Sequence, residues 1–307
     1  LQSPLKVSKN HLENDNIKVL IDQNGDISSI YDKNLNKELL IKPVSFALFD
    51  YEGCYGYAAW EMVYEQISVS AQRRTHLKNI EIVENGKAAA TLKITKSCAD
   101  SLFTQFVTLT ASGKSVNVFN EVDWRCLRTL LKLEFAFTAA NKNALYDLGL
   151  GIIERPNNTK RRFEVPAQMW AAIQDKSGEY TAYVLSDSRI GWDKPNDNTL
   201  RLTCMHTPRH WYRKESAQHL LDFGINRFSF SLGACRPDEI GEIQKNALCF
   251  CSPLSAFSSS LHIGEREGFV SLISDLDEEV LLRALKKAHS SDEITVRFNE
   301  GCSRERE

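Results

Sequence analysis

The sequence predicts an all-β sandwich on three observations: apolar and polar residues alternate with period two through most of the chain, Gly- and Asn-containing turns punctuate those stretches, and helical spacing is scarce. Every half-apolar strand must hide one face, so this many strands favour two large antiparallel sheets packed face to face. The strand-then-long-helix alternation of a parallel α/β sheet does not occur.

The first element is a hairpin. Ile17-Lys18-Val19-Leu20-Ile21 alternates, the Asn24-Gly25 pair supplies the turn, and residues 27–31 return as the second strand. Strands follow over 78–83, 89–94, 106–110 and 115–122. Glu84-Asn85-Gly86 and Ser112-Gly113-Lys114 separate them as meander connections. Later strands are expected over 181–185, 200–205, 226–232, 247–251, 280–286 and 293–298, each about six residues long. The exception is 237–246, where Pro237 and an acidic start predict a helix or turn. Small and polar residues over 255–260 read as a linker, dividing the chain into a sandwich over 1–262 and a small terminal β segment over 263–307.

At 307 residues, with 42% hydrophobic and 25% charged residues, the chain has the composition of a globular protein able to bury a large core. A formal net charge of -2 provides no field to gather a polyanion, which excludes dedicated nucleic-acid binding. Lys160, Arg161 and Arg162 read as a solvated loop. No apolar run approaches the roughly 20 residues that span a bilayer, so no membrane partner is expected. Residues 1–10 lack the apolar centre of a secretory signal, which leans toward a cytoplasmic chain. Eight cysteines show no Cys-x-x-Cys repeat and no His pair at zinc-finger spacing, so no metal or other cofactor is expected on this chain. Cys249 and Cys251 would share one side of a strand.

Gly-x-Ser-x-Gly, His-Glu-x-x-His and Gly-rich phosphate loops are all absent from the sequence. Carboxylates abound, yet a pair for glycoside cleavage is defined by its separation in space. Two segments concentrate groups that could meet a sugar. One, over 50–61, combines Asp50, Tyr51 and Trp60 with further aromatic rings and glycines; the same composition suits domain packing. The other holds His206, Arg209, His210 and Trp211, where His206 could act as an acid or base near neutral pH. Asn157-Asn158-Thr159 matches a short N-glycosylation acceptor pattern.

Several segments in order resemble the carboxyl-terminal region of family 38 α-mannosidases: Leu12-Glu13-Asn14, the run from Gly25 through Lys33, and Ala59-Trp60-Glu61, where Ala58 replaces the usual acid. The resemblance continues through Val122-Asp123-Trp124-Arg125, Leu130-Leu131-Lys132-Leu133-Glu134-Phe135 and Ile153-Glu154-Arg155-Pro156. Its strongest stretch is Arg162-Phe163-Glu164-Val165-Pro166-Ala167-Gln168-Met169-Trp170, and it extends through Ser186-Asp187-Ser188-Arg189-Ile190-Gly191 to Val296-Arg297-Phe298. Each motif also has a plain structural role: Trp124 and Trp170 as core anchors, Gly25 and Gly191 in turns, Pro156 and Pro166 at strand edges.

The resemblance implies a galactose-mutarotase-like supersandwich whose partners are an amino-terminal catalytic domain and a helical bundle of the same polypeptide. It implies that zinc and the reacting carboxyls belong to that catalytic domain, which cleaves α-mannosides with retention. In the family the β half can also lend a substrate-contacting arginine. Here the corresponding run is Cys204-Met205-His206-Thr207-Pro208-Arg209, with histidine in that place and Arg209 nearby. A sandwich that binds carbohydrate by itself, and an epimerase using a His and Glu pair, are the alternatives.

Overall fold

The computed structural model describes residues 5–54, 56–209, 221–260, 263–264, 268, 270–274 and 280–300. Five short strands come first: β1 (Lys6–Ser8), β2 (His11–Glu13), β3 (Ile17–Ile21), β4 (Ile27–Asp32) and β5 (Lys37–Glu38). β6 (Ser45–Asp50) leads into a loop with a single helical turn, α1 (Tyr64–Ile67), and then β7 (Arg73–Arg74). Four long strands follow, β8 (His76–Asn85), β9 (Ala89–Cys98), β10 (Ser101–Thr110) and β11 (Ser115–Trp124), then β12 (Thr129–Ala136), β13 (Asn143–Asp147) and β14 (Ile152–Pro156). Next are β15 (Val165–Pro166), β16 (Trp170–Gln174), β17 (Thr181–Ser186), β18 (Gly191–Asn196), β19 (Thr199–Thr207) and β20 (Gly224–Cys235). A 3-10 turn at Pro237–Glu239 enters α2 (Ile240–Cys251), and β21 (Val280–Lys287) pairs with β22 (Ile294–Glu300).

The two large antiparallel sheets expected are present. One runs β14-β13-β16-β17-β20-β11-β10-β9-β8 and the other β15-β18-β19-β12-β6-β7. Their inner faces meet through rings, with Phe46 against Phe103 at 4.9 Å and Phe135 against Phe230 at 5.3 Å. Trp124 is fully buried and donates its indole N–H to Thr207 Oγ1 at 3.3 Å, which joins the two sheets. Each such aromatic contributes about 1.5–3 kcal/mol by leaving water.

The first hairpin does not join either large sheet; β1 to β5 form a sheet of their own in sequence order. Ile17, Val19 and Ile21 are buried while Lys18 and Leu20 are half-buried, so one face covers the core and the other meets water. Gly25 makes the close approach possible. Its φ of +73° suits the turn, and a Cβ there would lie 2.7 Å from Leu77 Cδ1 and 2.9 Å from Ile94 Cγ2. Beneath it, the buried Lys96 ammonium pairs with Asp26 and ties the small sheet to β9.

Residues 247–251, expected as a strand, are instead the end of α2. A five-residue apolar run cannot by itself distinguish the two, and here the longer spacing decides. Ile240, Ile243, Ala247 and Phe250 recur at helical intervals and cover a second cluster containing Trp170, Tyr183 and Leu185 on the outer face of the nine-stranded sheet. Trp170 donates its indole N–H to Gln244 Oε1 at 2.6 Å. Cys249 is exposed and Cys251 half-buried, so the two do not share a side. Gly191 is likewise no turn residue: it opens β18, where a Cβ would come within 2.7 Å of Glu164 Oε1. Pro156 and Pro166 do sit on edge strands. Among the described residues no helix is long and apolar enough to cross a membrane.

Candidate functional site

β6 and β19 flank β12, and their ends arrive together: Thr129 lies opposite Asp50 on one side and Thr207 on the other. The segments 50–61 and 206–209, distant in sequence, therefore emerge side by side. Asp50 is exposed and paired with Arg73 at 2.9 Å. Tyr51, the next residue, points the opposite way, as strand geometry requires, and is fully buried. Its hydroxyl donates to the Glu61 carbonyl at 3.2 Å and accepts the Val63 N–H at 2.7 Å, pinning both arms of the loop. Burial pushes its phenol up to about 12. Tyr51 thus holds the loop in shape and meets no solvent.

The loop then folds over the end of β19. Gly53 has φ +77°, and a Cβ there would lie 2.7 Å from Ala58 Cβ and 3.1 Å from Pro208 Cβ. The Arg209 N–H donates to the Glu52 carbonyl at 3.1 Å, and the His206 ring stands edge-on to Tyr51 with centroids 5.0 Å apart. Burial depresses the His206 imidazole to about 4, against a partial opposing pull from Asp222, so the ring is neutral at pH 7. Its Nε2 is buried without a hydrogen-bond partner among the described residues, as is Arg209 Nε. Trp60 and Tyr57 project outward, 75% and 57% exposed, with ring centroids 6.5 Å apart; Leu127 on the neighbouring β11–β12 turn is 59% exposed. His210 and Trp211 lie outside the described residues.

A second constellation, not foreseen from the sequence, lies on the same face of the six-stranded sheet as Tyr51. The buried Lys132 ammonium contacts Glu164, Asp193 at 3.1 Å and the Thr203 hydroxyl at 2.7 Å. Arg201 Nε reaches Asp193 at 3.0 Å, Arg201 Nη2 donates to the Ile67 carbonyl at 3.0 Å, and its guanidinium stands 5.1 Å from the Phe49 ring centroid. Burial alone would raise Asp193; the adjacent Lys132 and Arg201 cations outweigh it and hold the carboxyl below the usual range. Glu164 adopts φ +50°, a left-handed conformation rare for a side-chain-bearing residue, to bring its carboxylate to Lys132 and Thr203.

This network can clamp strands and the 52–71 loop together, yet it is poorly suited to glycoside cleavage. A general acid needs a raised pKa and access, whereas Asp193 is lowered and shut away from solvent. Its signal in the sequence was the charged pair Lys132 and Glu134 within an otherwise apolar strand, both on the face of Leu130 rather than of Leu131, Leu133 and Phe135. Asn157 is also engaged: its amide donates to Asp197 at 2.5 Å and accepts from the Lys194 ammonium at 2.6 Å. Among the described residues no group of three or more His, Cys, Asp or Glu side chains could hold a metal ion, so zinc has no fitting donor set there.

A family model described as "Glycosyl hydrolases family 38 C-terminal domain" matches residues 12–210. Similar curated proteins include Alpha-mannosidase G of Dictyostelium discoideum, 23% identical over 310 residues that cover 94% of this chain and 27% of that protein. Alpha-mannosidase of Saccharomyces cerevisiae is 23% identical over 315 residues, with the same two coverages. The chain thus spans about a quarter of the length of these relatives. Among solved structures, an alpha-mannosidase from Enterococcus faecalis V583 superposes with a TM-score of 0.81 at 14% identity, covering 98% of this chain and 38% of that one. At such identity the likeness is one of fold.

Proposed function

Since the chain belongs to the glycosyl hydrolase family 38 C-terminal domain family, we propose that it is the noncatalytic β module of an α-mannosidase, supporting a retaining, zinc-dependent hydrolysis of α-mannosides carried out by an amino-terminal catalytic domain of the same polypeptide. On this reading residues 1–262 form the supersandwich and 263–307 a small terminal β segment. The reacting carboxyls and zinc belong to the remainder of the polypeptide, together with a helical bundle.

The observation that carries the reading is the strand-end surface. Trp60 and Tyr57 stand out in water on a loop locked from beneath by Tyr51, with Leu127 exposed on the β11–β12 turn, beside the neutral His206 and the cationic Arg209. Large exposed aromatics on a rigid loop are what an interdomain contact requires. Asp50, Trp60, His206 and Arg209 are the residues at hand for a sugar contact at that boundary, with Tyr51 positioning the loop.

Complementation tests the proposal. The purified chain alone is expected to leave an aryl α-mannoside untouched, and to raise turnover saturably when added to the catalytic half of the same polypeptide. Trp60→Ala should weaken that association without unfolding the module. Turnover by the chain alone at the rate of a complete glycosidase, with contaminants excluded, would refute it.

A further inference from the structure

Far from the strand-end surface, α2 crosses β16, β17 and β20 but leaves the outer face of β11 open. A cleft of about 760 Å³ remains between the helix and the 112–117 hairpin, within the size range of small-molecule sites. Its lining mixes polar and apolar groups. Ser231 donates to Ser115 Oγ at 3.0 Å, and Tyr183 directs its hydroxyl toward Ser115 and Asn246. Gly233 permits this: a Cβ there would sit 2.5 Å from the Tyr183 hydroxyl. Asn117 extends the hydroxyl and amide surface outward, while Leu185 and Phe250 contribute apolar area.

The walls define the ligand's charge. Asp238, Glu239 and Glu242 face Lys114 and Lys245, with Lys245 bound to Glu242 at 3.1 Å and Glu239 accepting the Arg236 N–H at 3.0 Å, so the walls carry one carboxylate in excess. The carboxylate excess disfavours a phosphate or other anion, while the two ammonium groups disfavour a metal ion or polyamine. Ser231 and Tyr183 are buried beneath the surface, so the hydrogen-bonding groups within a ligand's reach include Ser115, which keeps an acceptor lone pair, and Asn117. What such a lining complements is a neutral, hydroxyl-rich molecule with an apolar face.

We propose that the cleft between α2 and the 112–117 hairpin is a saccharide-binding subsite for a short neutral oligosaccharide. The choice of a mannose-containing probe rests on the mannosidase reading above; the location does not. Binding there would hold a glycan chain away from the strand-end surface.

The test is calorimetric titration of the purified chain with α-linked mannobiose, on the native protein and three variants. Trp60→Ala should bind as the native chain does. Asn117→Ala should lose roughly three- to tenfold in affinity, the equivalent of one hydrogen bond. Cys249→Trp, a change at an exposed helical position lining the cleft, should block binding while circular dichroism shows the fold intact. Sugar should also slow alkylation of Cys249 in the native chain. No heat at high millimolar sugar from folded protein would overturn the proposal, as would binding lost in Trp60→Ala but kept in Cys249→Trp. Neither outcome touches the complementation result, which stands or falls separately.

Discussion

Replacing His206 by Gln is expected to relieve the chain of a specific acid destabilisation. In the folded protein the imidazole sits against Tyr51 with Nε2 buried, and burial depresses it from 6.5 to about 4. In the unfolded chain it protonates at its ordinary value. Between those two values the unfolded state takes up a proton that the folded state refuses, so stability falls as pH drops from about 6.5 to about 4 and levels off below. At about 1.4 kcal/mol per tenfold difference in proton affinity, the interval from 6.5 to about 4 amounts to about 3 kcal/mol. Urea denaturation followed by tryptophan fluorescence at several pH values between 7 and 4 measures this for both proteins. Buried carboxylates such as Asp26 and Asp32 titrate in native and variant alike, so the difference between the curves isolates position 206. Parallel pH profiles for the two proteins would refute the reasoning, since the ring would then be charged or solvated in the fold.

Lys132→Met should destabilise the module by about 3–5 kcal/mol, because it removes the ammonium that Asp193 and Glu164 share in a buried site; adding Asp193→Asn should recover part of that loss in a double-mutant cycle. Gly25→Ala should cost on the order of 1–3 kcal/mol in chemical denaturation, through a positive φ and a Cβ placed 2.7 Å from Leu77. Trp60→Ala, at a site 75% exposed, should change stability by less than about 0.5 kcal/mol while weakening assembly with the catalytic half, as read by titrating one against the other.

Much of the fold was legible because β-structure writes itself locally. Alternation along Ser115–Trp124 and Ile17–Ile21 states which side of each strand is apolar, and Asn24-Gly25 states where the chain reverses. The same local code failed at 247–251, where a short apolar run fits either period and only α2's contacts with Trp170 and Tyr183 choose the helix. It also failed at Gly191, whose reason is the carboxylate of Glu164 in the segment that precedes β15.

The site was legible in composition but not in arrangement. Asp50, Tyr51, Trp60, His206 and Arg209 were conspicuous as polar and aromatic groups, yet nothing near them in sequence says that Thr129 stands between their strands. Nor does it say that Tyr51 turns inward while Trp60 turns out.

The sequence by itself determined the class of fold, many of the strands and the family motifs, because hydrophobic period and turn chemistry are properties of neighbouring residues. The tertiary structure alone decided which charges meet. Lys132, Glu164, Asp193 and Arg201 come from four separate segments, and their pairing exists only after sheet registration brings them to one buried face, where low dielectric makes each ion dependent on the others.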